Sequence, residues 1–240
     1  MTQGTFALWV YLSRTPLLWL TVTLVAYLAA DRISARTGRH PLANPVLHAI
    51  WSIDALLVAT GTPYPTYFEG AQFIHFLLGP AIVALAVPLY EHRDTVARAA
   101  VPMLVALLVG SSVAMGSAIL IARTCGAPRA VLIALAPKSV TAGVAMGITQ
   151  ALGGDPALTA VLVILTGIIG AVVVTPLMNR IRLRDFRARG FAVGLASHGI
   201  GTARAFQVDQ VAGTFAGIAM GLNALLTAIL VPLALALLVR

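Results

Sequence analysis

The sequence predicts an all-α, polytopic membrane protein with about six transmembrane helices plus two re-entrant or broken helices in an inverted repeat. Three observations carry that prediction. Apolar residues make up 59% of the 240-residue chain and charged residues 10%, with a mean hydropathy of +0.93, whereas a soluble domain carries roughly 25% charged residues. Apolar runs long enough to cross a bilayer recur along the chain, separated by short basic clusters. Two later stretches align with each other and are both interrupted at the same place. A soluble enzyme, a disordered tail and a disulfide scaffold are thereby excluded, and the lone Cys125 rules out an intrachain disulfide or a multi-cysteine metal site. The net charge of +8 would suggest nucleic acid in a soluble protein. Here it follows the pattern of cytoplasmic loops, so no nucleic-acid partner is expected.

Each apolar run is helical by default, because lipid offers backbone groups no partner outside a helix or a closed barrel. No run shows the in/out alternation of a barrel strand. Thr5–Tyr11 is too short to span and is placed at the interface. Leu17–Ala30 reads as the first span, although Arg14 before it and Ala29-Ala30 near its end also fit a signal peptide. Val46–Thr60 and Phe73–Tyr90 follow, with Asn44-Pro45 before the one and Pro80 and Pro88 inside the other suggesting kinks. Between them, the link Thr60–Gln72 has one acid and no base, and Pro63 to Gly70 within it reads as an ordered outer loop with interfacial tyrosines. Ala99–Ala122, Ala157–Met178 and Ala212–Val239 are further spans. In the last, Gly213, Gly217 and Gly221 give a smooth face for helix contact, within one subunit or between two.

Arginine placement tests the topology. Three arginines lie in Asp31–His40, two in Glu91–Arg98 and five in Arg180–Arg189. With the first two clusters cytoplasmic, the N-terminus and Ala122–Pro128 are outside. If Ala130–Leu152 and Ala157–Met178 both crossed, the five-arginine cluster would land outside, against the positive-inside rule. Ala130–Leu152 is interrupted at Pro137-Lys138-Ser139, leaving pieces of about 7 and 12 residues. Neither crosses about 30 Å at 1.5 Å per residue. The run therefore reads as a re-entrant hairpin or broken helix.

Arg129–Ala145 aligns with Arg189–Ala205 at an offset of sixty, matching Leu135 with Leu195 and Ala136 with Ala196. Lys138 falls opposite His198, both at the break. Residues 1–240 then form a single membrane domain in which 129–178 and 189–239 are inverted repeat units carrying the site. Such repeats place two broken helices tip to tip near the membrane midplane, where secondary transporters bind substrate.

Lys138 is the sharpest site signal, being the only lysine among sixteen basic residues and lying at the predicted break. A charge at bilayer depth costs roughly 2.5–3.5 kcal/mol on insertion scales. It reads as an anion contact, or else as a snorkelling or carboxylate-paired lysine with Asp54 as a partner. Ser139 and Thr141 are placed to cap the second half-helix, whose positive end would face the midplane. In the second copy, Gly199 and Gly201 permit a tight turn, Ser197 offers a hydroxyl, Thr202 is placed to cap, and Arg204 offers a carboxylate-binding fork. Helix packing is the alternative for the two glycines. His198 reads either as a proton-coupling group or as a buried neutral imidazole holding the turn. Asp54, in mid-run, is the other coupling candidate, while His48 and His75 (placed at a helix start) lie apart from it. No paired acids, nucleophile–base couple or metal cluster appears at this depth, so neither enzyme activity nor a cofactor or metal is expected. The substrate-binding set is Lys138, Ser139, Thr141, Ser197, His198, Gly199, Gly201, Thr202 and Arg204.

These stretches resemble the LrgB/CidB family, which includes the carboxy-terminal half of the plastid glycolate/glycerate translocator. The matching residues are Asn44-Pro45 with Leu47, Tyr64 to Gly70, Pro80 to Tyr90, Pro137-Lys138-Ser139-Val140-Thr141, Leu165-Thr166-Gly167-Ile168 and Ala196 to Arg204. The resemblance covers nearly all of the chain from about Leu17. It implies two functions: transport of small carboxylates such as glycolate, glycerate or pyruvate by alternating access, or a holin/antiholin-like role in murein hydrolase export and cell lysis. It also implies a plasma (inner) membrane location and a small LrgA/CidA-like membrane partner; a homodimer is expected by analogy. Where the family pattern continues Thr-Pro-Ile after Lys-Ser-Val-Thr, this chain has Ala142-Gly143-Val144. That departure implies a different substrate preference or gating.

Overall fold

A computed structural model describes residues 15–77, 80, 83, 84, 86–91 and 93–238. The chain forms two compact units, Met1–Ala84 and Leu85–Arg240. All regular structure among the described residues is helical.

In the first unit, α1 (Pro16–Arg36) starts at a proline whose missing N–H would have been unpaired anyway. It runs past Ala30 until Asp31 and Arg39 pair across its end. A 3₁₀ turn (Pro41–Ala43) leads to α2 (Pro45–Thr60). The Asn44 carboxamide caps α2, accepting from Val46 N at 2.9 Å and Leu47 N at 3.1 Å, so Asn44-Pro45 begins a helix cleanly instead of kinking one. Gly61 ends α2 in the left-handed region (φ 63°). The stretch expected as a loop is α3 (Tyr64–Phe76). Its prolines sit before and just inside the helix start, where no intrahelical N–H is lost. Gly70 lets α3 close on α1, since a Cβ there would lie 2.2 Å from the Pro16 carbonyl oxygen. Fully buried Trp19 meets Tyr67 edge-on at 5.9 Å. His75 lies in the last turn of α3, not at a helix start, and Asp54 is exposed on α2.

Phe73–Tyr90 is not one helix: α3 ends at Phe76, and α4 (Ala86–Glu91) belongs to the second unit. The kink expected at Pro80 involves residues 81 and 82, which lie outside the described residues, as does Thr5–Tyr11. Pro88 falls within α4.

In the second unit, α5 (Arg93–Arg98) precedes α6 (Ala100–Thr124), α7 (Arg129–Leu135), α8 (Ala142–Ala151) and α9 (Pro156–Arg180). The chain closes with α10 (Phe186–Val208) and α11 (Gln210–Leu238). Among the described residues, α1, α6, α9 and α11 are long and apolar enough to cross a membrane, and α2 is a shorter apolar helix. Leu108, Val109, Ile169, Leu225 and Ile229 stay exposed on these helices, as lipid-facing side chains do.

Neighbours along α9 give the path of the short helices. Near its start, Thr159 donates to Thr149 of α8 at 2.9 Å, and a Cβ on Gly154 would lie 2.6 Å from Ile133 of α7. Val163 packs with Val140 and Ala145, nearer the α7–α8 break. α7 and α8 therefore enter beside the start of α9, turn at residues 136–141 and come back. α10 does the same from the other end. Val193 packs beside Val174, His198 bonds the Val163 carbonyl, and Arg204 returns to Thr175. α10 is thus a hairpin of two half-helices, turning at His198. Helix α11 runs beside both hairpins: Ala216 lies against Gly194 and Val231 clusters with Ala136. On α6, Met103 and Leu107 serve the second hairpin, and Met115 and Ile119 the first.

Small residues make this packing close, as in lipid, where no hydrophobic drive holds helices together. A Cβ on Gly190 or Gly194 would lie 2.0 Å from the carbonyl oxygen of Ala212 or Ala216. The closest approach therefore uses glycines of α10. On α11, Gly213 packs inside the chain against Phe206, while Gly221 faces open space.

Candidate functional site

The two reversals meet. At the first, Pro137 is fully buried, and the backbone turns through Lys138 N to Leu135 O (3.1 Å) and Val140 N to Pro137 O (3.2 Å). Thr141 takes extended backbone geometry at the start of α8 but makes no side-chain cap bond. The first N–H groups of α8 are thus left without the caps expected from Ser139 or Thr141. Ser139 instead accepts from Lys138 Nζ at 3.3 Å, and both side chains are half-buried.

At the second reversal the turn residue is His198 itself, with φ 43° and ψ −137°, a conformation that favours glycine. Gly199 and Gly201 do not carry a positive φ, which corrects the expectation that they make the turn. Gly201 serves packing, since a Cβ there would lie 2.6 Å from Ser197 Cβ and 3.0 Å from the Val193 carbonyl. Gly199 has room beside it. His198 is 4% exposed, and its Nε2 lies 2.9 Å from the Val163 carbonyl oxygen. That distance places a proton on Nε2, since the carbonyl only accepts. The same Val163 packs against Val140, two residues beyond Lys138. The structure thus brings Lys138 and His198 to one depth from opposite ends of α9.

Two glycines on α9, unweighed as site residues from sequence, cradle the second tip. A Cβ on Gly167 would lie 2.6 Å from His198 Cε1, and one on Gly170 would lie 1.6 Å from the Ser197 hydroxyl. Thr202 donates to the His198 carbonyl at 2.8 Å, so it ties the turn together instead of capping the returning half-helix. Arg204 is 7% exposed and directed away from the tip, toward Thr175 (3.5 Å) and Gln207 (3.4 Å). Asp54 belongs to the first unit.

The most informative residue missed from sequence is Asn223. It is 1% exposed on α11, and its Nδ2 donates to Leu195 O at 3.0 Å and Ser139 O at 3.3 Å. The only available signal was an amide alone in a long apolar helix, which is costly unless bonded.

Toward the arginine-rich end, Arg187 forks onto Asp185 at 2.7–3.2 Å, and that hydrogen bond holds the Asp185 carboxyl below its usual range. A groove of about 590 Å³ opens there between Arg98 and Arg187 and runs past Met103, Phe191 and Phe215 to Leu195, just before the second tip. Among the described residues, no three His, Cys, Asp or Glu side chains gather to hold a metal.

The fold and site define a class: an all-helical polytopic membrane protein in which two helical hairpins enter from opposite ends and meet midway. The chain belongs to the LrgB-like family, whose sequence pattern matches residues 23–237. It is 35% identical to YwbG of Bacillus subtilis over 208 residues, covering 87% of this chain and 92% of that protein. It is 32% identical to the holin-like protein CidB of Staphylococcus aureus over 216 residues, covering 90% and 94%. No solved structure matches it.

Proposed function

We propose that the protein carries small carboxylates across the membrane by alternating access, with the solute held between the two hairpin tips. One observation carries this reading: the chain's only lysine lies half-buried at one tip, and Asn223 ties the carbonyl of the next residue, Ser139, to Leu195, three residues before the histidine that turns the other. An ammonium at that depth is expensive unless it meets an anion. The uncapped start of α8 adds N–H donors and a positive dipole end. Ser139 and Thr141 present the first tip to the solute, Ser197, Gly199 and Gly201 form the backbone of the second, and Thr202 holds the His198 turn. Arg204 is a second cation on the way in from the arginine-rich end. His198 and Asp54 are the candidates for proton coupling.

Residues 129–178 and 189–239 act as inverted repeats, related by the sixty-residue offset that pairs Lys138 with His198. The arginine clusters put the N-terminus outside and residues 180–189 in the cytoplasm of a cell whose inner membrane the chain crosses. A homodimer would supply a fixed scaffold, and a small LrgA/CidA-like protein is a candidate partner. The name of the CidB relatives supports a second reading, a holin-like role in cell lysis. A non-selective lytic pore gives the half-buried lysine nothing to bind.

Uptake into proteoliposomes separates the two. Saturable carboxylate flux that Lys138→Ala abolishes supports the transporter. Leakage of an uncharged dye, equal in wild type and variant and without saturable flux, supports the lysis reading.

A further inference from the structure

Asn223 makes four hydrogen bonds, and they come from four different places in the fold. Its Oδ1 accepts from Ser111 of α6 at 2.5 Å and from Thr227, one turn along α11, at 3.3 Å. Its Nδ2 donates to Ser139 O in the first reversal and to Leu195 O just before the second. Both N–H groups and both lone pairs of the amide are used. The orientation is fixed by chemistry: two backbone carbonyls only accept, so the nitrogen must face them. Leu195 lies three residues before the turn at His198, and Ser139 lies in the non-helical link. Carbonyls at helix breaks need partners from elsewhere. In hydrocarbon no water supplies them.

A second observation comes from the offset that aligns the hairpins. Sixty residues before Asn223 is Val163, whose carbonyl oxygen bonds the His198 ring. Equivalent positions on the two long helices thus each hold a hairpin tip: α9 through its backbone, α11 through a side chain. Asn223 bonds the backbone of both hairpins, whereas Val163 bonds the second tip and meets the first only by packing on Val140.

We propose that Asn223 is a positioning residue that couples the two hairpins, fastening both tips to α11 so that they keep one relative geometry around the solute. The idea rests on the transport reading for its consequence, but the coupling itself is a property of the fold. Removing the amide frees both tips together, although Asn223 touches neither Lys138 nor His198 by any bond described above.

The test uses Asn223→Asp, nearly the same size. The acid accepts from Ser111 and Thr227 in either protonation state. It donates to a tip carbonyl only when protonated. Lys138 and His198 titrate nearby in both proteins, so the quantity read is the ratio of variant to wild type at each pH. Hydrogen exchange is followed on peptides spanning 136–142 and 195–202 in lipid nanodiscs, alongside carboxylate uptake in proteoliposomes. At pH 8 both tip peptides of the variant should exchange about tenfold faster than wild type, a change worth about 1.4 kcal/mol. Protonation restores one donor and removes the repulsion between the carboxylate and the other carbonyl, so by pH 5 one tip should return to wild type and the other part-way, with the uptake ratio rising in parallel. Asn223→Ala should show the loss without the pH recovery. If Asn223→Asp does not fold, Ser111→Ala serves, because it loosens the amide and should raise exchange at both tips about threefold. Unchanged exchange, or exchange that rises at one tip only, overturns the coupling. Coupled exchange in a wild-type protein that moves no carboxylate leaves Asn223 as proposed and defeats the transport reading instead.

Discussion

Gly170→Ala is the sharpest perturbation available without touching a charged group. The added Cβ would sit 1.6 Å from the Ser197 hydroxyl and 2.6 Å from Ser197 Cβ. Ordinary contact begins near 3.4 Å; the hydroxyl can rotate but the Cβ cannot, so the second tip must retreat by roughly 0.8 Å or α9 must bend away. Ser197 is 1% exposed and cannot swing into free space. Overpacking of this kind costs about 1–3 kcal/mol. A misplacement of about 1 Å near reacting or binding groups costs on the order of a hundredfold in rate. The expected outcome is a folded protein with a lower melting temperature and carboxylate uptake reduced at least tenfold. Gly147→Ala on α8 is the control: its Cβ meets nothing within 4 Å, and alanine favours a helix over glycine by about 1 kcal/mol. Uptake and melting by Gly170→Ala equal to those of Gly147→Ala would refute the claim that α9 cradles the tip.

Three further outcomes follow from the same geometry. His198→Gly should melt higher than His198→Ala, the reverse of the usual helix preference, because φ 43° strains any side chain; equal or inverted melting would contradict the turn. With Cys125 replaced, cysteines at Asp155 and Arg184 should react with an impermeant thiol reagent from opposite sides, since α9 crosses once between them. Thr159→Val should lower thermal stability by about 1 kcal/mol, because it leaves the buried Thr149 hydroxyl without its 2.9 Å partner. An unchanged melting curve would count against that bond.

Much of the fold was legible in sequence because lipid narrows the choices. The Pro137-Lys138-Ser139 interruption could be read directly: proline removes an N–H and lysine is costly at that depth. The second reversal came from its alignment with the first. What escaped followed other rules. The stretch Pro63 to Gly70 reads as a loop, yet its two prolines fall where a helix start tolerates proline. The turn was assigned to Gly199 and Gly201 because glycine tolerates positive φ best, but surrounding contacts hold His198 there instead. Gly167 and Gly170 looked like generic small residues, and only the position of Ser197 and His198 against them gives them a role. Asn223 is uncharged, so the pattern of buried ionisable residues does not point to it.

The central claim is that a small anion is held where the tips meet, and equilibrium binding tests it without assuming a transport cycle. Purified protein in nanodiscs is titrated with radiolabelled glycolate, glycerate or pyruvate, and Lys138→Met is compared with wild type. Saturable binding to the wild type that falls at least tenfold in Lys138→Met, with its melting curve intact, is the predicted result. Binding that survives loss of the lysine, or no saturable binding of any of the three to the wild type, would contradict it.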